Sequence, residues 1–187
     1  MKKFELTNEF VTNMFGTKLF RIRALVEFGD VEAGELGGYV EKESNLGHDD
    51  NAWVYGDARV YDNALVYDNA RVYGDAQVSG DARVYGNARV YDNAWVYGNA
   101  QVSGDARVCG DARVCGNGDY AYAHGFGSVN RTTTFFRLKD GGVGVRCGCF
   151  YGTLAQFRDK IRETHGETKK AQEYLMLADL MKLRFEK

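Results

Sequence analysis

His124 is the side chain in this sequence best suited to acid–base catalysis, because histidine titrates nearest to neutral pH. The sequence has three histidines, and His124 lies between Asp119 and Gly127 in a segment rich in tyrosine and glycine. His165 precedes a glycine that is expected to end a helix, where a capping role is the usual one. His48 and His124 lie at the two ends of a repetitive central region. No set of residues indicates an enzyme, so His124 is only the best of the available catalytic candidates.

The four cysteines do not form a metal-binding pattern. Cys147 and Cys149 alternate onto one face of a predicted strand, but the sequence has no Cys-x-x-Cys pair. Cys109 and Cys115 replace tyrosine in consecutive six-residue repeats and are expected to face different walls. We expect reduced thiols, and we predict neither a metal nor a cofactor.

Arginine and tyrosine recur at fixed spacing in the central region. Arg71, Arg89 and Arg107 are 18 residues apart, and Tyr73 and Tyr91 have the same spacing. If three repeats make one coil, these five side chains form one outward column. Arginine and tyrosine are frequent in protein interfaces and can also grip phosphates or stack on bases. The structural alternative is a solvated wall, in which tyrosines pack on their neighbours and arginines pair with aspartates at the corners.

Acidic residues beside the column favour a protein over a nucleic acid as its ligand. Asp62, Asp68 and Asp92 fall at predicted corners, where they would repel a polyanion. The net charge of the chain is −2 and therefore gives no sign of a nucleic-acid binder. We predict a protein partner and no measurable binding of duplex DNA, with a nucleotide or nucleic-acid binder kept as an alternative.

Trp95 is the residue from which we expect the largest contribution to binding. It occupies an outward position between Gln77 and Arg113 if each coil contains three repeats. Exposed tryptophan usually marks a contact surface, and a second subunit, the C-terminal helices or an outside partner could cover it. Trp53 has the same chemistry but is expected to lie under the N-terminal segment. The outward apolar residues Trp53, Leu65 and Trp95 also predict a homo-oligomer, with a trimer as the expected form.

Eleven uninterrupted six-residue repeats over residues 51–116 must position these side chains. Each repeat reads Asn/Asp, Ala, variable, Val, Tyr/Ser/Cys, Gly/Asp, which alternates as a β-strand does and then turns. Antiparallel hairpins would place Val66 on the same face as Arg71, whereas parallel coiling stacks valine on valine. Because each buried valine contributes roughly 1.5–3 kcal/mol, the repeats predict a parallel β-solenoid.

The repeats resemble those of hexapeptide-repeat left-handed β-helix proteins, in which a small residue follows an inward aliphatic residue by four positions. Val54 and Ala58 match this pattern, and the match continues to Val108 and Ala112. The resemblance implies a mainly β protein with a left-handed parallel β-helix of three repeats per coil. It also implies an acyltransferase-like enzyme as an alternative function. The family's enzymes use a histidine, often beside a loop that interrupts the coils, and the repeats here contain neither.

Two smaller modules are predicted around the solenoid. Residues 1–50 form a β-rich cap over an open end that would otherwise expose unpaired backbone, residues 51–122 form the solenoid, and residues 123–187 form a ββαα module. In that module Thr132–Lys139 and Val143–Phe150 flank a hairpin turn. The module is expected either to cap the other end or to pack along one wall.

Both flanking segments are similar to those of hexapeptide-repeat proteins from phages, prophages and enteric bacteria, which implies a phage or prophage origin. No apolar run approaches the roughly 20 residues of a membrane span, and no signal-peptide core follows the first residues, so we expect a cytoplasmic protein. The predicted function is that of a non-enzymatic binding or scaffold protein that engages a host or phage protein through its walls, in host takeover or counter-defence. The residues that carry the resemblance are Leu19–Ile22, Gly37–Tyr39, Asn45–Leu46, Ala52–Val54, Gly148–Phe150, Gly152–Leu154 and Thr164–Gly166.

Overall fold

Each six-residue repeat forms one short strand, and three strands make one coil of a solenoid in the computed structural model, which describes residues 2–127 and 129–186. Each strand pairs in parallel with the strand 18 residues away, so that Val72 lies between Val54 and Val90. The predicted mainly β fold, with a parallel β-solenoid of three repeats per coil, is confirmed. The strands β4 to β14 are Trp53–Val54, Arg59–Val60, Leu65–Val66, Arg71–Val72, Gln77–Val78, Arg83–Val84, Arg89–Val90, Trp95–Val96, Gln101–Val102, Arg107–Val108 and Arg113–Val114.

Valine and alanine fill the interior of the solenoid. The valine and the alanine of every repeat are at most 1% exposed, so the period-two alternation of the sequence separates the core from the walls. Backbone amides of each coil donate to carbonyls of the next: the Trp53 N–H to Ala70 O at 3.1 Å, and the Tyr55 N–H to Val72 O at 2.8 Å. Stacked coils therefore satisfy one another's backbone polar groups.

The corners of the solenoid combine left-handed backbone with bonds between coils. Asp62 Oδ2 accepts the N–H of Gly80 at 3.1 Å, and Asp68 Oδ2 accepts the N–H of Gly86 at 3.1 Å. Asp92 Oδ2 likewise accepts the N–H of Gly110 in the next coil, at 3.4 Å. These aspartates thus bind backbone rather than the wall arginines with which the solvated-wall alternative would pair them. The corner residues with φ between 57° and 70° are Gly56, Asp62, Asp68, Gly74, Gly80, Gly86, Asp92, Gly98, Gly104 and Gly110.

The solenoid starts inside the N-terminal segment. Strands β1 (Phe4–Thr12) and β2 (Lys18–Ala24) form an antiparallel hairpin, and β2 also pairs in antiparallel with β3 (Leu36–Val40). Strand β3 then pairs in parallel with Arg59–Val60, and Leu46 bridges to Val66 in the same sense. The parallel ladder therefore begins ahead of the predicted boundary at residue 51.

Lys3 closes the end of the solenoid that the N-terminal segment covers, which we call the lower end; the opposite end is the upper end. Its side chain is 3% exposed, and its ammonium donates to Asp50 Oδ1 at 3.1 Å, Asp50 O at 3.0 Å and Ala52 O at 2.9 Å. Burial lowers the pKa of Lys3, and the neighbouring Asp50 opposes that shift. Trp53 is fully buried against Phe28, at 5.3 Å between ring centroids, as expected of a residue under the N-terminal cap.

A four-stranded antiparallel sheet and two helices form the C-terminal module. The module has two more strands than the predicted ββαα arrangement. One reason is Gly148, whose φ of +59° turns the chain and divides the predicted second strand in two. The other is that the predicted boundary between residues 122 and 123 falls inside a strand. The elements are β15 (Tyr120–Phe126), β16 (Arg131–Arg137), β17 (Val143–Cys147), β18 (Phe150–Thr153), α1 (Leu154–His165) and α2 (Lys169–Phe185).

Strand β16 crosses the upper end of the solenoid. The Arg107 N–H donates to Thr134 Oγ1 at 2.9 Å, and Leu138 forms an antiparallel bridge with Ala112. Phe136 is fully buried and joins the valine core. Of the two placements expected for the C-terminal module, the structure has the one in which the module caps the open end.

Candidate functional site

Arg71, Arg89 and Arg107 form the predicted column, because they occupy paired positions in adjacent coils. We call these three residues the arginine column. Their exposure differs: Arg89 is exposed, whereas Arg71 and Arg107 are half-buried at the two ends. The column is therefore most exposed to solvent at Arg89, and its two ends are partly covered by the N-terminal segment and the C-terminal module.

The N-terminal segment occupies the lower end of the arginine column. Arg71 donates to Asp30 Oδ2 at 2.7 Å, and the Tyr55 hydroxyl donates to Asp30 Oδ1 at 3.1 Å. Burial works against ionisation of Asp30, but the bonds from Arg71 and Tyr55 outweigh it and lower the pKa of this carboxyl. Arg71 is thus already paired within the chain.

Tyr73 and Tyr91 stack on each other beside the arginine column. Their ring centroids are 4.8 Å apart and the rings are inclined by 4°. Tyr91 is only 9% exposed, and burial raises the pKa of both hydroxyls. Because the rings contact each other and Tyr91 is almost fully buried, this wall offers guanidinium groups more than aromatic surface to a ligand.

A cleft of about 460 Å³ lies where the upper end of the arginine column meets the C-terminal sheet. It brings together two residues that the sequence singled out separately, the catalytic candidate His124 and the column residue Arg107. Strands β15 and β16 position the C-terminal side of the cleft, since they are paired and β16 lies across the last coil. The residues that line it include Asp105, Arg107, His124, Arg131, Thr132 and Gly148.

His124 is exposed in this cleft, and its Nδ1 lies 2.9 Å from Thr132 Oγ1. Within residues 2–127 and 129–186, this hydroxyl is the hydrogen-bond partner of the ring, and no carboxylate is bonded to it. A general base commonly depends on a neighbour that holds the ring in the reactive orientation. In this structure the group that contacts the ring is the Thr132 hydroxyl.

Arg131 is a site residue that the sequence reasoning missed. Its guanidinium lies over the backbone of Gly148, where any Cβ would collide with it. In the part of the chain that the structure describes, neither Arg107 nor Arg131 forms an ion pair. No local signal marks Arg131, because its proximity to Arg107 depends on how β16 crosses the solenoid end.

Trp95 lies between Gln77 and Arg113, as the three-repeat coil predicts. It is half-buried rather than open, because the Arg113 guanidinium lies 5.3 Å from its ring centroid and the Tyr97 ring lies at 5.9 Å. Its indole nitrogen is buried and has no hydrogen-bond partner among the described residues. Arg113 and Tyr97, which lie on the same wall, thus cover much of the Trp95 ring, for which the sequence predicts cover by another surface.

Helix α2 carries the most regular exposed apolar surface on the C-terminal module. Met176, Leu180 and Leu183 are 71%, 54% and 69% exposed, and their spacing places them on one helix face. We call these three residues the α2 stripe. The opposite face packs into the module core through Ala171, Tyr174, Ala178, Met181 and Phe185.

Two further features bear on what the protein can bind: the positions of the cysteines and the character of the helices. Cys109 is buried, and Cys115 is exposed on a different wall. Among the described residues, no group of three or more His, Cys, Asp or Glu side chains is gathered closely enough to hold a metal ion. Neither described helix combines the length and the apolar character that a membrane span needs.

The stacked coils, read with the comparison to known families, define the class of protein. A family model described as the YdcK beta solenoid repeat matches residues 52–67, 58–74, 64–80, 76–88, 82–98, 88–104 and 100–116. The chain is a β-solenoid repeat protein, and its repeats are similar to those of that family. The matches span residues 52–116, so they cover the repeats but not the first coil, the C-terminal side of the cleft or α2. A search of curated proteins finds no match.

Proposed function

We propose that this protein is a non-catalytic scaffold that binds another protein through the α2 stripe. The observation that carries the proposal is the exposure of three large apolar side chains on one face of α2. Apolar side chains at helical spacing are the usual anchors when a helix docks into an apolar groove. The C-terminal module that carries this helix is docked on the last coil of the solenoid.

The energetics favour a contact surface on α2. Each square ångström of apolar surface removed from water contributes about 25 cal/mol, so covering three such side chains gives a useful binding energy. Beside the stripe, Asp179 is already paired with Arg158 at 2.6 Å, and Lys182 with Glu186 at 3.8 Å. A partner could therefore cover the stripe with little rearrangement of the charges that flank it.

The solenoid walls support protein binding less well. Trp53 is buried inside the chain and Trp95 is covered by Arg113, so two of the three apolar residues on which a wall-packed trimer was predicted are already in contact. Leu65 remains half-buried on its wall. We therefore place the protein contact on α2 and treat self-association as one outcome of the test below.

The absence of catalysis belongs to the same proposal. In the alternative acyltransferase-like enzyme, His124 would act as the base, and its contact with the Thr132 hydroxyl gives that role little support. Phage or prophage origin and a cytoplasmic location are proposed on the resemblance of the flanking segments alone. We propose a host or phage protein as the partner.

The test replaces the α2 stripe and leaves the fold alone. A variant with Met176→Gln, Leu180→Gln and Leu183→Gln is compared with wild type and with a control carrying Lys169→Gln and Lys170→Gln, two exposed changes on the same helix. Immobilised wild type and control should retain the same protein from host lysate, and the stripe variant should retain at least about tenfold less. Light scattering of the purified protein reports whether the stripe instead joins two copies of the chain. Equal retention by all three proteins, with unchanged circular dichroism, would contradict the proposal.

A further inference from the structure

We propose that the cleft between the arginine column and β16 binds a small phosphate-type anion through Arg107 and Arg131. This inference is independent of the α2 stripe, which lies on a different element. Guanidinium groups present planar pairs of N–H donors that match phosphate oxygens, and they stay charged at any physiological pH. Two such groups line this one cleft.

The charge balance around the cleft favours an anion. Arg89 is paired in register with Arg107, and none of Arg89, Arg107 and Arg131 forms an ion pair with the described residues. Asp105 also lines the cleft, but its Oδ1 accepts the Asn87 side-chain N–H at 3.0 Å as part of the corner between coils. Two guanidinium groups that form no ion pair among the described residues thus line the cleft beside one carboxylate, and Arg89 adds a third cationic group on the adjacent coil.

Two further hydrogen-bonding groups lie beside the arginines. The His124 ring and the Thr132 hydroxyl line the same cleft and are hydrogen-bonded to each other at 2.9 Å. A tetrahedral oxyanion has more acceptor sites than two guanidinium groups can fill, and hydroxyl and imidazole groups commonly supply the remaining bonds. His124 then acts as a ligand-contacting residue.

The two arginines project from a fixed backbone. The Arg107 N–H is held by Thr134 Oγ1 at 2.9 Å, and Arg131 lies directly over the backbone of Gly148. Gly148 has a φ of +59°, which favours glycine, and any side chain there would displace the Arg131 guanidinium. These two contacts thus place both guanidinium groups beside the cleft.

The volume of the cleft limits the ligand. About 460 Å³ lies within the range of small-molecule sites and exceeds the need of a single phosphate. Free phosphate and the phosphate group of a nucleotide share the chemistry that the arginines recognise. The experiment therefore uses both inorganic phosphate and adenosine monophosphate as probes, at constant ionic strength.

Calorimetric titration of the full chain tests the proposal. Wild type should bind at least one probe saturably, and Arg107→Gln with Arg131→Gln should weaken binding at least about tenfold. Arg83→Gln, an exposed arginine on a different wall, is the matched control and should bind as wild type does. The probe that binds more tightly identifies the source of the phosphate group.

Gly148→Ala supplies a second variant that leaves both arginines in the sequence. It should weaken binding because the added Cβ collides with Arg131 Nη1 and forces the guanidinium to move from its present position. Thermal unfolding confirms that each variant is folded before it is titrated. The proposal is overturned if neither probe saturates wild type, if the double variant binds as tightly as wild type, or if Arg83→Gln weakens binding equally.

Discussion

The Arg113 guanidinium lies 5.3 Å from the centroid of the Trp95 ring, so the chain itself covers one face of its most prominent wall residue. Trp95→Ala removes this cation–π contact together with the contact to Tyr97. We expect the free energy of unfolding to fall by about 1–2 kcal/mol in urea titrations, with no change in oligomeric state. Combined with Arg113→Ala, a double-mutant cycle should give a coupling of about 0.5–1 kcal/mol. Wild-type stability in the presence of altered light scattering would mean that Trp95 serves an interface instead.

Lys3 and its neighbour Lys2 provide a matched pair of charges at the lower end of the solenoid. Lys3→Met leaves Asp50 and two carbonyls without their donor in a buried setting, and we expect a loss of about 2–3 kcal/mol in the free energy of unfolding. Lys2→Met breaks only an exposed contact with Glu43, which should cost less than about 1 kcal/mol. Chemical denaturation of the two variants checks the difference. Equal losses would show that Lys3 does not seal this end of the solenoid.

Asp68 separates two contributions to corner stability. Its φ is +60°, and its Oδ2 accepts the Gly86 N–H at 3.1 Å. Asp68→Gly loses only the hydrogen bond, whereas Asp68→Ala also keeps a side chain in the left-handed region, at a cost of about 1 kcal/mol. Alanine should therefore destabilise the protein more than glycine, as measured by the urea midpoint. An alanine variant at least as stable as the glycine variant would rule out backbone strain at this corner.

Buried and half-buried tyrosines should make the protein sensitive to alkali. Burial raises the pKa of Tyr55 and of Tyr174 to about 12, and it raises the pKa of Tyr73 as well, from a value near 10 in the unfolded chain. Stability from these groups is fully present below about pH 10 and is lost as the pH rises towards about 12. Lys3 acts in the opposite direction, since its pKa is lowered, but it is one group against several.

The measurement is the free energy of unfolding between about pH 9 and 11.5, followed together with the ultraviolet absorbance of tyrosinate. Tyr73→Phe serves as the control, because it removes one titrating hydroxyl and should make the decline less steep. A free energy that stays constant across this range would contradict the prediction.

The coils could be predicted because their information is local. Every repeat carries its own inward valine, its own alanine and its own turning residue, so the register does not depend on distant parts of the chain. The first coil lacks this pattern: Val40 and Leu46 stack on Val60 and Val66 without belonging to a repeat. The sequence alone therefore predicts a separate cap in place of this coil.

The candidate site could be predicted only in part, because it depends on contacts between distant segments. The spacing of 18 residues was enough to align the arginine column, but Arg71 is neutralised by Asp30, which lies 41 residues earlier. Arg131 meets Arg107 only because β16 passes over the last coil. Such pairings follow from the docking of whole modules, for which one sequence contains no periodic signal.

The uninterrupted coils also fix how the length of this molecule can change. One additional coil of 18 residues would move the C-terminal sheet about 4.8 Å further along the axis and leave it above the same wall. Six or twelve additional residues would turn that sheet onto another wall and separate Arg131 from the arginine column. Repeat duplications that preserve the cleft must therefore add whole coils of 18 residues. Each added coil increases the distance between Asp30 and the cleft by one step along the axis.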